Sequence, residues 1–283
     1  AMRGWMNAGT TYIPGVALGA VMRALAAGEI VQSNDPDWPV GTHVGGMFGA
    51  QSYAVAKGAA LQKLDLEKGP MSWHLGILGM PGMTAYFGLL DKGKPQEGET
   101  VFITGAAGII GSTVGQIAKL KGCKVYGTAG SDKKCKYLLE ECGFDGVINY
   151  KTENVKERLA EMIPDKIHVF YDNVGGPIMD MALGHLARGA RMVICGAISQ
   201  YNASEMYGPK NYMKIVTARG YITGIIVFDY IERYPEAVSD LSAWLKNGQM
   251  NTREDIYEGI ENFGSVLQKL FTGENFGKLL LKV

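Results

Sequence analysis

The sequence predicts an α/β fold: a doubly wound parallel sheet with a smaller β domain attached. Two observations carry that prediction. From Glu99 onward, short apolar strands alternate with helical stretches, and repeated β-α-β units set strands parallel with helices on both faces of the sheet. Before that point, residues 1–75 are rich in glycine and in short apolar runs broken by turns. The 283 residues provide for one large or two medium domains, given a usual size of roughly 100–200 residues.

In the first region Gly28-Glu29-Ile30-Val31, Gly41-Thr42-His43-Val44 and Ser52-Tyr53-Ala54-Val55 read as strands. Turns at Asn34-Asp35-Pro36-Asp37 and Pro39-Val40-Gly41 separate them, as in a small barrel or sandwich. Ser72 is placed to cap a helix over 74–78, and Pro81 is expected to interrupt it before a helix over 84–90. Strands are then expected at 101–104, 125–128, 147–150, 168–172, 191–195 and 222–228. Helices are expected between them at 113–120, 133–142, 155–163 and 178–186. Two amphipathic helices, 236–246 and 256–271, and a last strand, 278–283, complete the chain.

Composition narrows the function. Apolar residues make up 47% and charged residues 20%, with zero formal net charge. No basic block gives the positive footprint of a nucleic-acid binder. The four cysteines, Cys123, Cys135, Cys142 and Cys195, form no CxxC pair, so a disulfide framework is not expected and reducing cytoplasm is the expected compartment. No leader pattern and no apolar run of about 18 residues point to export or a membrane.

The strongest local motif is Gly105-Ala106-Ala107-Gly108-Ile109-Ile110-Gly111, placed after an expected strand and opening an expected helix. Without Cβ atoms the backbone can approach a pyrophosphate, whose charge meets free N–H groups and the positive end of the helix dipole. The glycines alone would serve packing equally well; the surrounding β-α-β unit favours a dinucleotide. Binders of NAD place an acid at the tip of the second strand for the ribose hydroxyls. Here that tip reads Thr128-Ala129-Gly130-Ser131, followed by Asp132, Lys133 and Lys134. The lysines can neutralise a 2′-phosphate, which points to NADP(H). Asp132 leaves a ribose contact open, and a plain reading has Ser131 and Asp132 capping the next helix beside two solvated lysines.

With these landmarks the chain resembles the leukotriene hydroxydehydrogenase/prostaglandin reductase branch of the medium-chain dehydrogenase/reductase superfamily. Within it, the likeness is to bacterial NADPH-dependent curcumin reductases and plant alkenal double-bond reductases. The resemblance covers essentially the whole chain. It rests on Met2-Arg3-Gly4-Trp5-Met6, on Gly79-Met80-Pro81-Gly82-Met83-Thr84-Ala85-Tyr86, and on the glycine turn running into Gln116-Ile117-Ala118-Lys119. Further on stand Ala129-Gly130-Ser131-Asp132-Lys133-Lys134, Asn149-Tyr150-Lys151 and Asp172-Asn173-Val174-Gly175-Gly176. Gly196-Ala197-Ile198-Ser199-Gln200-Tyr201-Asn202 and Asn275-Phe276-Gly277-Lys278 complete the set.

The resemblance implies a Rossmann-type domain over 76–249 and a GroES-like β-barrel substrate domain from 1–75 and 250–283. Family members carry a longer N-terminal segment, and the tyrosine of their Asp-Pro-Tyr-Met-Arg signature has no counterpart before Met2. It implies that Met80 and Thr84 line the nicotinamide pocket and that Gly105, Gly108 and Gly111 meet the pyrophosphate. Lys134 and Tyr150, with Ser131 nearby, would hold the 2′-phosphate. Asn173 would lie near ribose and nicotinamide, the backbone at Val227 and Phe228 would meet the nicotinamide amide, and Asn275 would close over the cofactor. Tyr201 would sit beside the nicotinamide ribose and the substrate carbonyl, as the catalytic donor. Taken singly, Met80 reads equally as core, Asn173 as a turn residue and Tyr201 as a loop tyrosine. A homodimer joined through the cofactor domains is implied as well.

Zinc enzymes share this architecture, but a catalytic zinc needs about three Cys, His or Glu ligands. Residues 1–80 hold no cysteine, and His43 and His74 have no partners at ligand spacing. His168, opening an expected strand, and His185, on an expected helix, read as structural. No metal is expected, and no Gly-x-Ser-x-Gly elbow supports hydrolase chemistry. The expected reaction is reduction of the C=C bond of an enal or enone by hydride transfer to the β carbon. A quinone oxidoreductase of the same superfamily and a non-catalytic NADPH-binding protein are the alternatives.

Overall fold

The computed structural model describes Gly4, Met6 and residues 13–283; the expectations on Met2, Arg3 and Trp5 lie outside the described residues. Three short strands come first, β1 (Ala26–Glu29), β2 (His43–Gly46) and β3 (Gln62–Lys63), paired antiparallel in that order. Two of the expected strands are thus present with shifted edges. The third is not at 52–55, where Tyr53 and Val55 are 80% and 105% exposed. Uncovered on both faces, that run gains nothing from its strand-forming side chains.

The helix α1 (Met80–Phe87) corrects another expectation. Pro81 stands in its first turn, where a missing N–H sacrifices no hydrogen bond, so the proline opens the helix. Its far end passes into a π-helical turn, Gly88–Gly93. Ser72 caps nothing; it lies within a 3-10 turn and donates its hydroxyl to Glu254 at 2.8 Å.

The alternating region follows as β4 (Thr100–Ile103), α2 (Ile109–Leu120), β5 (Lys124–Ala129), α3 (Asp132–Glu140) and β6 (Gly146–Asn149). It continues as α4 (Val155–Met162), β7 (Ile167–Asp172), α5 (Gly176–Leu183), β8 (Leu186–Ile194), α6 (Lys214–Ala218) and β9 (Tyr221–Gly224). These strands form one parallel sheet in the order β6-β5-β4-β7-β8-β9. It is the doubly wound sheet that the sequence predicts. The order reverses between β4 and β7, which opens a crevice at the C-terminal ends of those strands.

Strand periodicity of two assigns the core. Val101 and Ile103 of β4 face one cluster with Val125, Val169 and Val193, covered by Val114 and Ile117 of α2. Phe102 faces the other with Met192, Phe170 and Leu159. Phe102 and Phe170 are register partners whose ring centroids lie 5.7 Å apart. Near the opposite, N-terminal edge, Arg191 and Glu99 form a half-buried ion pair, and the guanidinium also donates to the carbonyls of Gly93 and Lys94 at 2.9 Å each.

Two more expectations shift. The strand expected over 222–228 ends at Gly224, and a 3-10 turn, Val227–Arg233, leads into α7 (Tyr234–Lys246). The helix expected over 256–271 divides. Its first part belongs to β10 (Glu254–Glu258), and only α8 (Phe263–Thr272) is helical. β10 pairs in parallel with the last strand, β11 (Lys278–Lys282), along its whole length. Ile256 and Tyr257 suit a pleat, and Gly259 weakens a helix through them. His185 sits in the turn between α5 and β8, its Nε2 2.7 Å from the Ile163 carbonyl. Among the described residues no helix is long and apolar enough to cross a membrane.

Candidate active site

Four segments converge where the sheet order reverses: the turn after β4, the turn after β7, the loop after β8 and residues 275–277. In the first, Gly105 has φ +60°, the left-handed region that side chains resist. Gly111, in the first turn of α2, approaches it so closely that a Cβ would stand 2.6 Å from the Gly105 carbonyl oxygen. Gly108 is the N-cap of α2. The N–H of Ala106 donates to the Thr128 carbonyl at 3.0 Å, which ties this turn to the tip of β5. The result is a helix N-terminus with bare backbone at its mouth, the physical requirement for a pyrophosphate.

The turn after β7 is organised by an acid that sequence reasoning passed over. Asp172 is buried and accepts from Thr104 Oγ1 at 2.5 Å, from Val174 N–H at 3.0 Å and from Gly175 N–H at 3.0 Å. Burial raises its pKa, against the pull of those three donors. Asn173 is locked in turn: its N–H donates to Thr104 Oγ1 at 2.9 Å and its Nδ2 to the Thr104 carbonyl at 2.8 Å. A Cβ on Gly105 would lie 3.5 Å from that of Asn173. The predicted Asn173 therefore stands beside the glycine turn. The signal for Asp172 was its place directly before Asn173 in the quoted motif.

Tyr201 reaches the same place from the loop after β8. Its hydroxyl accepts from the Ala197 N–H at 3.2 Å. A Cβ on Gly196 would lie 3.0 Å from that hydroxyl and 3.6 Å from the Asn173 carbonyl oxygen. The ring is 38% exposed, and among the described residues its own proton has no acceptor. Such a phenol, held by a backbone donor, can donate to an outside oxygen.

A second gathering forms at the tip of β5. Ser131 caps α3, accepting from Lys134 N–H at 3.4 Å. Lys134 Nζ donates to the Gly273 carbonyl at 2.6 Å, and its pKa is lowered first by burial and then by the neighbouring Lys151. Tyr150 covers Gly130, where a Cβ would stand 2.7 Å from the phenol oxygen. Ser131, Lys134 and Tyr150 thus share one corner, positively charged and lined by hydroxyls.

The segment with Asn275 lies over the glycine turn. Gly277 N–H donates to the Ala107 carbonyl at 3.2 Å, and Gly277 bridges to Gly108. Phe276 is fixed by the Arg253 guanidinium 4.1 Å above its ring and by the edge of Tyr137 at 5.0 Å. Asn275 Nδ2 turns inward to the Gly277 carbonyl at 3.4 Å. Met80 and Thr84 belong to α1, anchored by Tyr171 of β7, which donates to the Thr84 carbonyl at 2.9 Å. The Thr84 hydroxyl donates to the Met80 carbonyl at 2.7 Å within the helix. Val227 is held separately, its carbonyl accepting from Tyr234 at 3.3 Å. Among the described residues no group of three or more His, Cys, Asp or Glu could hold a metal.

A Rossmann sheet with its glycine turn and flanking small β sheet defines a dehydrogenase or reductase class, and the comparisons agree. The family description "Zinc-binding dehydrogenase" matches residues 110–243, and "N-terminal domain of oxidoreductase" matches residues 1–64. The chain belongs to the medium-chain dehydrogenase/reductase superfamily. It is 40% identical to the NADPH-dependent curcumin reductase of Escherichia coli over 100% of this chain and 84% of that protein. It is 37% identical to the NADP(+)-dependent 2-alkenal reductase of Nicotiana tabacum over 96% of this chain and 80% of that one. Its structure superposes on that of CurA from Vibrio vulnificus in complex with NADPH with a TM-score of 0.93, at 37% identity, covering 100% of this chain and 86% of that one.

Proposed function

We propose that this chain is an NADPH-dependent reductase of the C=C bond of α,β-unsaturated aldehydes and ketones, curcumin-like enones included, acting without a metal. The observation that carries the reading is the placing of Asn173 between the Gly105 turn and, across Gly196, the Tyr201 hydroxyl. It is supported by whole-length similarity to a curcumin reductase. Bound NADPH supplies the hydride.

The chain's residues position and stabilise. Gly105, Gly108 and Gly111 admit the pyrophosphate to the N-terminus of α2. Ser131, Lys134 and Tyr150 hold the 2′-phosphate. Asn173, fixed through Thr104, lies along the ribose, and Met80 and Thr84 line the nicotinamide side. The backbone at Val227 and Phe228 meets the nicotinamide amide, and Asn275 closes from above. Tyr201 donates a hydrogen bond to the substrate carbonyl oxygen as negative charge develops there, and water supplies the proton that completes the α carbon; the Ala197 N–H already fixes the phenol, so little reorganisation is needed.

In this reading residues 76–249 are the cofactor domain, and 1–75 with 250–283 form the substrate domain. A homodimer is supported by the edge strand β9, where Tyr221 and Ile222 are exposed and, among the described residues, no strand pairs on the outer side. A cytoplasmic location is supported by four cysteines that are all free.

The test is a panel of enals, enones, curcumin and quinones, followed at the NADPH absorbance band before and after prolonged chelation. Enals and enones are expected to oxidise NADPH, with the rate unchanged by EDTA. Turnover of quinones alone, or tight NADPH binding with no oxidation by any compound, would overturn the reading. Activity lost to EDTA and restored by zinc would overturn its metal-free part.

A further inference from the structure

We propose that Asn149 is a specificity-determining residue: by tying back the Asp132 carboxylate, it keeps an acid off the 2′-phosphate corner and so sets the preference for NADPH over NADH. The proposal rests on the reading of Ser131, Lys134 and Tyr150 as the 2′-phosphate cradle.

An enzyme that uses NAD needs an acid at the tip of the second strand to accept the ribose hydroxyls, and that acid repels a 2′-phosphate. In this chain one route to such an acid is closed by bulk. Tyr150 lies where a side chain at position 130 would go, with its Oη 2.7 Å and its Cζ 3.0 Å from the Cβ that position would carry. The other route remains open in the sequence. Asp132, the first residue of α3, immediately follows Ser131 and is the one acid between Thr128 and Lys134.

The structure disarms it by a hydrogen bond. Asn149, at the end of β6, donates from Nδ2 to Asp132 Oδ1 at 2.7 Å. Asn149 is itself a rigid anchor, 5% exposed and in register with Ala129 of β5. Its N–H donates to Glu153 Oε2 at 2.7 Å, and its Oδ1 accepts from Lys151 N–H at 3.2 Å. Its carbonyl accepts from Thr152 N–H at 3.0 Å and Glu153 N–H at 2.9 Å. Glu153, the other acid of this edge, is likewise engaged, with Oε1 on Arg158 Nε at 2.8 Å. Asp255, whose charge also reaches Lys134, accepts from the Phe276 N–H at 3.2 Å, so all three acids are bound to partners, and Lys134 stands beside Lys151. The corner keeps its positive charge for an incoming anion.

Released from Asn149, the Asp132 carboxylate is free to rotate toward the ribose. There it would accept hydroxyl protons from NADH and repel the phosphate of NADPH. The experiment is equilibrium titration of NADPH, NADH, 2′,5′-ADP and 5′-AMP against wild type, Asn149→Ala, Asp132→Ala and the double variant. Asn149→Leu, close to asparagine in size, serves if Asn149→Ala does not fold. Loss of the Asn149 donor is expected to narrow the NADPH-over-NADH preference by about tenfold. Asp132→Ala is expected to leave NADH binding within about twofold, and the double variant to regain the wild-type preference within about twofold. An equal loss of preference with and without Asp132 would overturn the proposal, because Asn149 would then act only through strand geometry. Weaker NADH binding in Asp132→Ala would overturn it too, because the carboxylate would already serve the ribose. A wild type that binds 2′,5′-ADP no better than 5′-AMP would instead sink the cradle itself.

Discussion

In the proposed function, the cofactor side of the crevice and its substrate side are held by different means. On the cofactor side, turns are fixed by buried backbone. Gly111 packs against the Gly105 carbonyl, Asn173 is bonded twice to Thr104, and Gly277 N–H reaches Ala107. On the other side stands the loop that carries Tyr201, itself 38% exposed. A site held by backbone geometry permits few alternative residues. One held by side chains on loops permits many, which is how a single scaffold varies its substrate.

That contrast is broken hardest at Gly111. Valine there would drive a Cβ to 2.6 Å from the Gly105 oxygen and 2.7 Å from Ala106 Cα, both backbone atoms that move only with the turn. Displacement of the α2 N-terminus is expected to weaken NADPH and NADH alike, on the order of 10²-fold or more. Titration of both cofactors against folded Gly111→Val checks this. Binding kept within a few-fold would mean that the turn is merely packing.

Lys134→Ala tests the corner rather than the turn. A hydrogen bond to a charged group contributes about 1.5–3 kcal/mol, so NADPH is expected to bind roughly 10- to 150-fold more weakly. NADH, lacking the phosphate, is expected to change little. Equal losses for both would remove Lys134 from the phosphate site. They would leave its bond to Gly273, which the substitution also breaks, as the explanation.

The same contrast explains what the sequence made legible. The glycine turn, the alternating strands and the Asp-Asn-Val-Gly-Gly turn are local in the chain, so their geometry is written in consecutive residues. Errors fell where a distant partner decides. Residues 254–258 became a strand because β11 lies alongside, not through any periodicity of their own. Residues 52–55 lost strand character because nothing covers Tyr53 and Val55. Pro81 was misjudged for a local reason, its position within the helix rather than its presence. In the site, the engagement of Asp132 by Asn149 spans two elements, and a reading of the β5 tip alone could not decide between ribose and cap.

The smallest expected effect belongs to the substrate side. Tyr201→Phe keeps the ring and removes only the hydroxyl, so NADPH affinity should hold. The Ala197 N–H loses its acceptor, but that group is exposed and water can replace the phenol. What remains is the chemical step. Removing one donor from an oxyanion site costs about 10²–10³-fold in rate where that donor stands alone. A ribose hydroxyl of bound NADPH would offer a second donor to the same oxygen, so a loss of about tenfold is expected. Single-turnover NADPH oxidation with a saturating enone separates this step from binding and product release. A rate equal to wild type would make Tyr201 a packing residue and move the search for the donor to the Ala197 N–H, which the substitution releases. A loss near 10³-fold would show instead that the tyrosine acts alone, and the substrate side would then be as strictly specified as the turn it faces.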